Sequence, residues 1–137
     1  MNDANISKDP ELQELSERFP RLFRGAQPAV LSHVPVGWSG IVGTLFTGID
    51  ELLNDDQAKC FCVKQVKEKF GTLRLYASFD RIDAEGVNPN PTALRSLVHA
   101  AVAASEVTCY VCGAPGEMRN LGAWASVRCD AHGRRFE

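Results

Sequence analysis

Apolar positions along the chain fall into three stretches at helical spacing and one that alternates. Leu12, Leu15 and Phe19 follow Asp9-Pro10, a capping residue and a proline at the first helical position, so a first helix is predicted that Pro20 stops. Leu22 and Phe23 follow as core anchors. Ile41, Val42, Leu45, Phe46, Ile49, Leu52 and Leu53 step by three and four, which predicts a central core helix from Trp38 or Ser39 to about Leu53, ended by Asn54-Asp55-Asp56. Gly40, Gly43 and Gly48 weaken it by about 1 kcal/mol each relative to Ala, and Gly43 is expected to admit a close neighbour. Leu94, Leu97, Val98, Ala101, Val102 and Ala104 form the stripe of a third helix, opened by Pro91 with Asn90 as its cap.

Between the second and third helices the period changes from helical to alternating. Residues 59–79 predict two strands joined at Lys69-Phe70-Gly71, where Gly71 supplies a positive φ. Leu73, Leu75 and Ala77 should face one side and Arg74 and Tyr76 the other. Cys60 and Cys62 stand two apart and read as small buried apolar residues. Residues 25–37 hold two prolines and two glycines and read as a surface loop carrying His33. Residues 80–91 read as a turn-rich linker. His99 lies beside apolar positions of the third helix and reads as a partly buried polar residue.

The C-terminal part changes this picture, because it carries ligand chemistry. Cys109-Tyr-Val-Cys112 and Cys129-Asp-Ala-His132 are two chelating pairs with sixteen residues between them. At that spacing two tight turns can meet around one Zn²⁺, with two short strands between them. Glycines after Cys112 and His132 ease the backbone around the turns. Residues 116–120 would be the outgoing strand, Leu121-Gly122 the turn and residues 123–128 the return, with Trp124 and Val127 packed beneath. Four protein ligands leave no open position, so the expected zinc is single and structural. Asp130 is a candidate to orient His132. A disulfide framework fits less well: the cysteines number five and the polar start shows no secretion signal.

The fold class expected is therefore α+β. Helices surround a central β-hairpin, with a C-terminal zinc-ribbon or treble-clef-like lobe. The expected organisation is a disordered lead at 1–9, a core at 10–107 and a zinc lobe at 108–137. Apolar content of 45% over 137 residues suffices for a modest core. No apolar run is long enough to span a bilayer, and a reducing cytoplasmic setting is expected, without membrane contact.

Net charge is −2, which argues against bulk attraction to nucleic acid. The distribution is uneven. Asp50, Glu51, Asp55 and Asp56 cluster without a cation, whereas Lys64, Lys67, Lys69 and Arg74 face Glu68 alone.

Several motifs resemble those of a family of small, largely uncharacterised proteins encoded by bacteria and their phages. Residues 65–74 resemble that family's QVKEKFG-LR-Y core, residues 108–119 its TC-VCG-PG-LR segment, and residues 122–132 its GGW--TLCD-H ending. The early PRLF and the Gly-Trp before the second helix also fit. Arg128 stands where the family more often has an apolar residue, and the stretch at 80–91 is longer. The resemblance implies the zinc site and a phage or prophage setting, and it implies no reaction.

Two functions follow as expectations. The first is a zinc-stapled, non-enzymatic binding protein that contacts a host protein or complex, in its most concrete form an inhibitor of a host defence system. Lys64, Lys67, Lys69, Arg74 and Arg119 are its candidate contacts. The alternative is a nucleic-acid-binding zinc-ribbon regulator, with the hairpin at 63–74 and the cluster Arg128, Arg134 and Arg135 on phosphates, and Phe70, Tyr76 or Trp124 on bases. A metal-dependent nuclease is a weaker third, because His33 and His99 stand in no motif with an acidic partner.

Overall fold

The computed structural model describes residues 10–23, 28–31, 33–79, 90–121 and 124–133. The lead at 1–9, the Asp9 cap, linker residues 80–89, Gly122, Arg134 and Arg135 lie outside them, as does the Trp124 side chain. In chain order the elements are α1 (Pro10–Arg18), α2 (Pro20–Phe23), 3-10 turns at Pro28–Leu31 and Val36–Trp38, α3 (Ser39–Leu52) and α4 (Asp55–Ala58). Then come β1 (Phe61–Lys69), β2 (Thr72–Phe79), α5 (Pro91–Ser105), β3 (Glu117–Leu121) and β4 (Trp124–Arg128). The class is mixed helix and sheet, with two separate antiparallel pairs, β1–β2 and β3–β4.

α3 lies at the centre of the core, because its apolar residues return to one face. Val42, Leu45, Phe46 and Ile49 are buried, and Phe46 receives the edges of Phe19 and Phe23 at ring-centre distances of 6.0 and 5.4 Å. Each such side chain contributes about 1.5–3 kcal/mol on burial. Pro20 does end α1, yet it also opens the single turn of α2, where its fixed φ suits a first helical position. Asn54 begins a helix as well as following one. Its side chain accepts from Gln57 N at 2.8 Å while Gln57 Oε1 accepts from Asn54 N at 2.9 Å, a capping box that starts α4. The acidic cluster also finds a cation far away in sequence. Arg21 donates to the Asp50 and Asp55 carboxylates and to the carbonyls of Asp50 and Leu53, covering the last carbonyls of α3.

The close approach expected at Gly43 occurs at Gly48. A Cβ on Gly48 would stand 2.6 Å from Leu97 of α5, whereas one on Gly43 would make ordinary contact with Leu15 at 3.5 Å. α5 is an outer layer over α3 and β2. Of its expected stripe only Ala101 is buried, with the rest half-buried, and His99 faces solvent instead of being partly buried. Asn90 caps α5 as expected, accepting from Thr92 N and Ala93 N at 2.9 and 3.2 Å.

The β1–β2 pair carries a bulge between Val63 and Gln65. It shifts the inward side of β1 from Phe61 and Val63 to Val66 and Glu68, so β1's apolar positions step by two and then by three. Leu73 and Leu75 pair with that inward side, while Lys67 faces Arg74 and Gln65 faces Tyr76 on the outer side. Cys60 is buried in the turn before β1 and Cys62 is half-buried, its thiol near the Phe23 carbonyl at 3.2 Å. On β1's other edge, the segment at His33 makes a parallel bridge to Lys67.

Candidate metal centre

The lobe is built from two ligand-bearing turns with the β3–β4 hairpin between them, a ribbon-like arrangement. The first turn closes when Cys109 N donates to Ala114 O at 2.8 Å and Gly113 N to Cys109 O at 3.0 Å. Gly113 sits at φ 80°, a conformation that admits glycine without strain. The second turn closes through His132 N to Cys129 O at 3.1 Å. Tyr110 N donates to Val127 O at 2.9 Å and ties the first turn to β4, whose Val127 is fully buried.

These turns bring Cys109, Cys112, Cys129 and His132 together, with all four ligand atoms within 4.8 Å of one another. The Cys112 and Cys129 sulfurs are 3.7 Å apart, and His132 Nδ1 lies 3.7 Å from the Cys109 sulfur and 3.3 Å from that of Cys129. An ion with metal–sulfur bonds of about 2.3 Å and a metal–nitrogen bond of about 2.0 Å sets tetrahedral edges of roughly 3.5–3.8 Å. The spacing thus fits a single metal ion. All five cysteines are free thiols, so no disulfide competes for these sulfurs. Among the described residues no other group of His, Cys, Asp and Glu is so placed, and Cys60 and Cys62 belong to none.

The electrostatics prepare the site. Burial pushes the Cys109 thiol up, but the backbone around Cys112, Cys129 and Val111, together with the His132 side chain, outweighs it and brings its pKa down to about 6. Cys109 is therefore ready to bind as a thiolate at neutral pH. Cys112 moves the other way. A backbone hydrogen bond at Ala114 favours its thiolate, yet burial and the neighbouring Cys129 and Cys109 sulfurs outweigh it.

Asp130 does not serve His132 directly. Its carboxylate accepts from Arg119 Nη2 at 2.8 Å, and Arg119 Nε donates to Arg128 O at 3.2 Å. Arg128 in turn donates to Ser126 Oγ at 2.8 Å and His132 O at 3.3 Å, and its guanidinium stands 5.9 Å from the Tyr110 ring centre. Arg119 and Arg128 thus brace the second turn from outside. Gly133 lies against the Arg119 guanidinium, so the glycine makes room for the brace.

The lobe is welded to the core at a point that the apolar pattern did not mark. Gly37 N donates to Tyr110 O at 2.6 Å, and Trp38 Nε1 donates to Thr108 O at 2.9 Å. The buried Trp38 ring receives the Tyr110 ring edge-on at 4.9 Å. A Cβ on Gly37 would collide with the backbone carbonyl of Cys109, so the two backbones meet where only glycine fits. The Tyr110 hydroxyl is buried next to Glu68 without a completed hydrogen bond; burial first, and then the Glu68 carboxylate, keep the phenol protonated. Ser105 is a second unpredicted tie. Its hydroxyl accepts from Leu73 N at 3.0 Å and donates to Val102 O at 2.6 Å, joining α5 to β2. The sequence signals for these residues were Gly37-Trp38 and Thr108 among the resemblance motifs.

The remaining basic candidates gather on the first hairpin. Lys64, Lys69 and Arg74 are exposed and Lys67 is half-exposed. Lys67 Nζ and Lys69 Nζ stand 5.7 Å from the ring centres of Tyr76 and Phe70. A cleft of about 600 Å³ between α1 and α3, lined by Glu11, Glu14, Arg18, Thr44 and Glu51 among others, gathers no comparable set of ligands. No described helix is long and apolar enough to cross a membrane. In comparisons with protein families, curated proteins and solved structures, nothing matches this chain.

Proposed function

We propose that this chain is a zinc-stapled binding protein that works by contact and not by catalysis. The observation that carries this reading is the set of four protein donors, three sulfurs and one imidazole nitrogen gathered within 4.8 Å of one another, with three of their separations between 3.3 and 3.7 Å. Such a donor set suits Zn²⁺, and it leaves no position at which a water or substrate would bind the ion. The metal then shapes the lobe, and the protein acts through its outer surface. The motif resemblance supports a phage or prophage setting with a host protein as partner, and a defence system as the most specific target.

The full-length protein should carry one zinc equivalent by elemental analysis. Cys60→Ala should keep it and Cys109→Ser should lose it. A zinc content unchanged by Cys109→Ser would overturn the ligand assignment. Affinity capture from host lysate, with and without nuclease, separates the partners. Recovery of one protein complex that survives nuclease supports a protein partner.

A nucleic-acid-binding regulator is the second reading, favoured by the basic hairpin with its two lysine–aromatic pairs. It predicts oligonucleotide binding that falls steeply with salt. The net charge of −2 weighs against it.

A further inference from the structure

We propose that the outer face of the β1–β2 hairpin, with Phe70 at its tip, is the docking surface of this protein. Its partner is an acidic protein surface with an apolar recess for the ring. The inference rests on the binding-protein reading and names the surface which that reading uses.

The first observation is strain with no return inside the fold. Phe70 and Gly71 form the two-residue turn with φ of 54° and 87°. Glycine tolerates this, and asparagine nearly so, but for a bulky residue the left-handed conformation costs about 1–2 kcal/mol. The Phe70 side chain recovers nothing by burial, since the residue is 78% exposed. An aromatic residue kept in a strained position and turned to water points to a use outside the chain.

The second observation is that the tip is braced by the fold. Gly71 N donates to Glu68 Oε2 at 2.8 Å, and Thr72 Oγ1 donates to Lys69 O at 3.1 Å. Met118 of β3 packs against Gly71 so closely that a Cβ there would strike its thioether. The ring is therefore presented on a pre-organised support, which lowers the entropy cost of docking.

The third observation is charge. Residues 61–79 hold four cations and one carboxylate, and that carboxylate, Glu68, lies on the inward side and is engaged by Gly71. Lys67 stands directly opposite Arg74 across the strands, a like-charge pair that costs the isolated fold a little and suits an anionic partner.

A protein fits this face better than a nucleic acid. The net charge of −2 weighs against a polyanion as partner, while the exposed Phe70 side chain offers apolar surface that phosphates do not use. Met118, 43% exposed beside the turn, adds an apolar neighbour to Phe70. An aromatic and a methionine within a cationic rim match the composition of protein interfaces.

The test uses the zinc-loaded full chain, labelled for NMR. It is titrated with a short Asp/Glu peptide carrying a central leucine pair, and separately with a thymidine oligonucleotide of equal charge. The expected result is peptide binding with shifts confined to residues 64–76, at least tenfold tighter than the oligonucleotide. Phe70→Asn should weaken peptide binding at least tenfold while raising the melting temperature by a few degrees. Lys67→Glu should weaken it without changing the zinc content. Tighter oligonucleotide binding, peptide shifts centred elsewhere, or no binding by the peptide would overturn the assignment. Peptide binding unaffected by Phe70→Asn would do the same. If a host complex is captured equally by wild type and Phe70→Asn, the hairpin assignment falls while the binding-protein reading stands.

Discussion

The molecule contains two hairpins of similar topology that are held together by different means. β1–β2 has strands of nine and eight residues and lies on a helical core, with Val63, Val66 and Leu73 fully buried. Its stability comes from apolar area removed from water. β3–β4 has two strands of five residues, and its alternate residues Met118 and Asn120 are exposed. An isolated hairpin that short is marginal in water. Val127 and Ser126 of β4 are buried, and four metal-ligand side chains gather at the base of the hairpin, so a bound ion would supply what this small core does not. The comparison teaches that local topology does not tell which force maintains a structure; the ligands and the buried residues do.

The largest test of that contrast is metal removal. Chelation, or Cys129→Ser, should abolish hydrogen-exchange protection in β3–β4 while leaving β1–β2 protected, because structural zinc contributes roughly 10–16 kcal/mol of binding energy that is coupled to local folding. Equal protection in both hairpins after chelation would end the distinction. Next in size is the weld between the two regions. Gly37→Ala places a methyl against the Cys109 carbonyl and should destabilise the protein by about 2–3 kcal/mol through forced overpacking, measured by denaturant unfolding. A neutral effect would mean that lobe and core are only loosely associated.

A smaller test concerns the core side alone. Ser105→Ala removes the acceptor of Leu73 N and should cost about 1–2 kcal/mol by leaving a buried donor unpaired, with zinc content unchanged. Zinc loss in that variant would show that the two regions are coupled through α5. The smallest effect is on pH dependence. The Cys109 thiol is lowered from 9.0 to about 6, so its thiolate contributes stability that is full above 9.0 and is lost as pH falls through about 6. A bound ion moves the lower limit further down. Lobe melting should therefore fall on acidification across this window. A lobe that melts higher at acid pH would contradict the assigned thiolate.

Much of the molecule was legible beforehand because its signals are local. The periods of α1, α3 and α5, the Asn90 cap, the turn at Phe70-Gly71 and the two chelating pairs each lie within a few consecutive residues. What escaped was long-range or depended on backbone detail. The bulge at Lys64 changed which side of β1 faces inward, and Phe70 proved to have a positive φ as well as Gly71. Arg119 and Arg128 read as surface cations until the second turn folded between them. Gly48 replaced Gly43 at the α3–α5 contact because the crossing point depends on where Leu97 lands, which no helical period encodes.

By itself the sequence marked the three long helices, the stretch where the chain alternates, and the four side chains that have the chemistry to share one ion. Those properties follow from covalent spacing and side-chain type. Only the tertiary structure decided that Gly37 and Trp38 lock onto the first metal turn, that Ser105 serves Leu73, and that Lys67 and Lys69 stand over Tyr76 and an outward-facing Phe70. The physical reason is that these contacts join residues brought together by close packing, and packing depends on the whole chain at once.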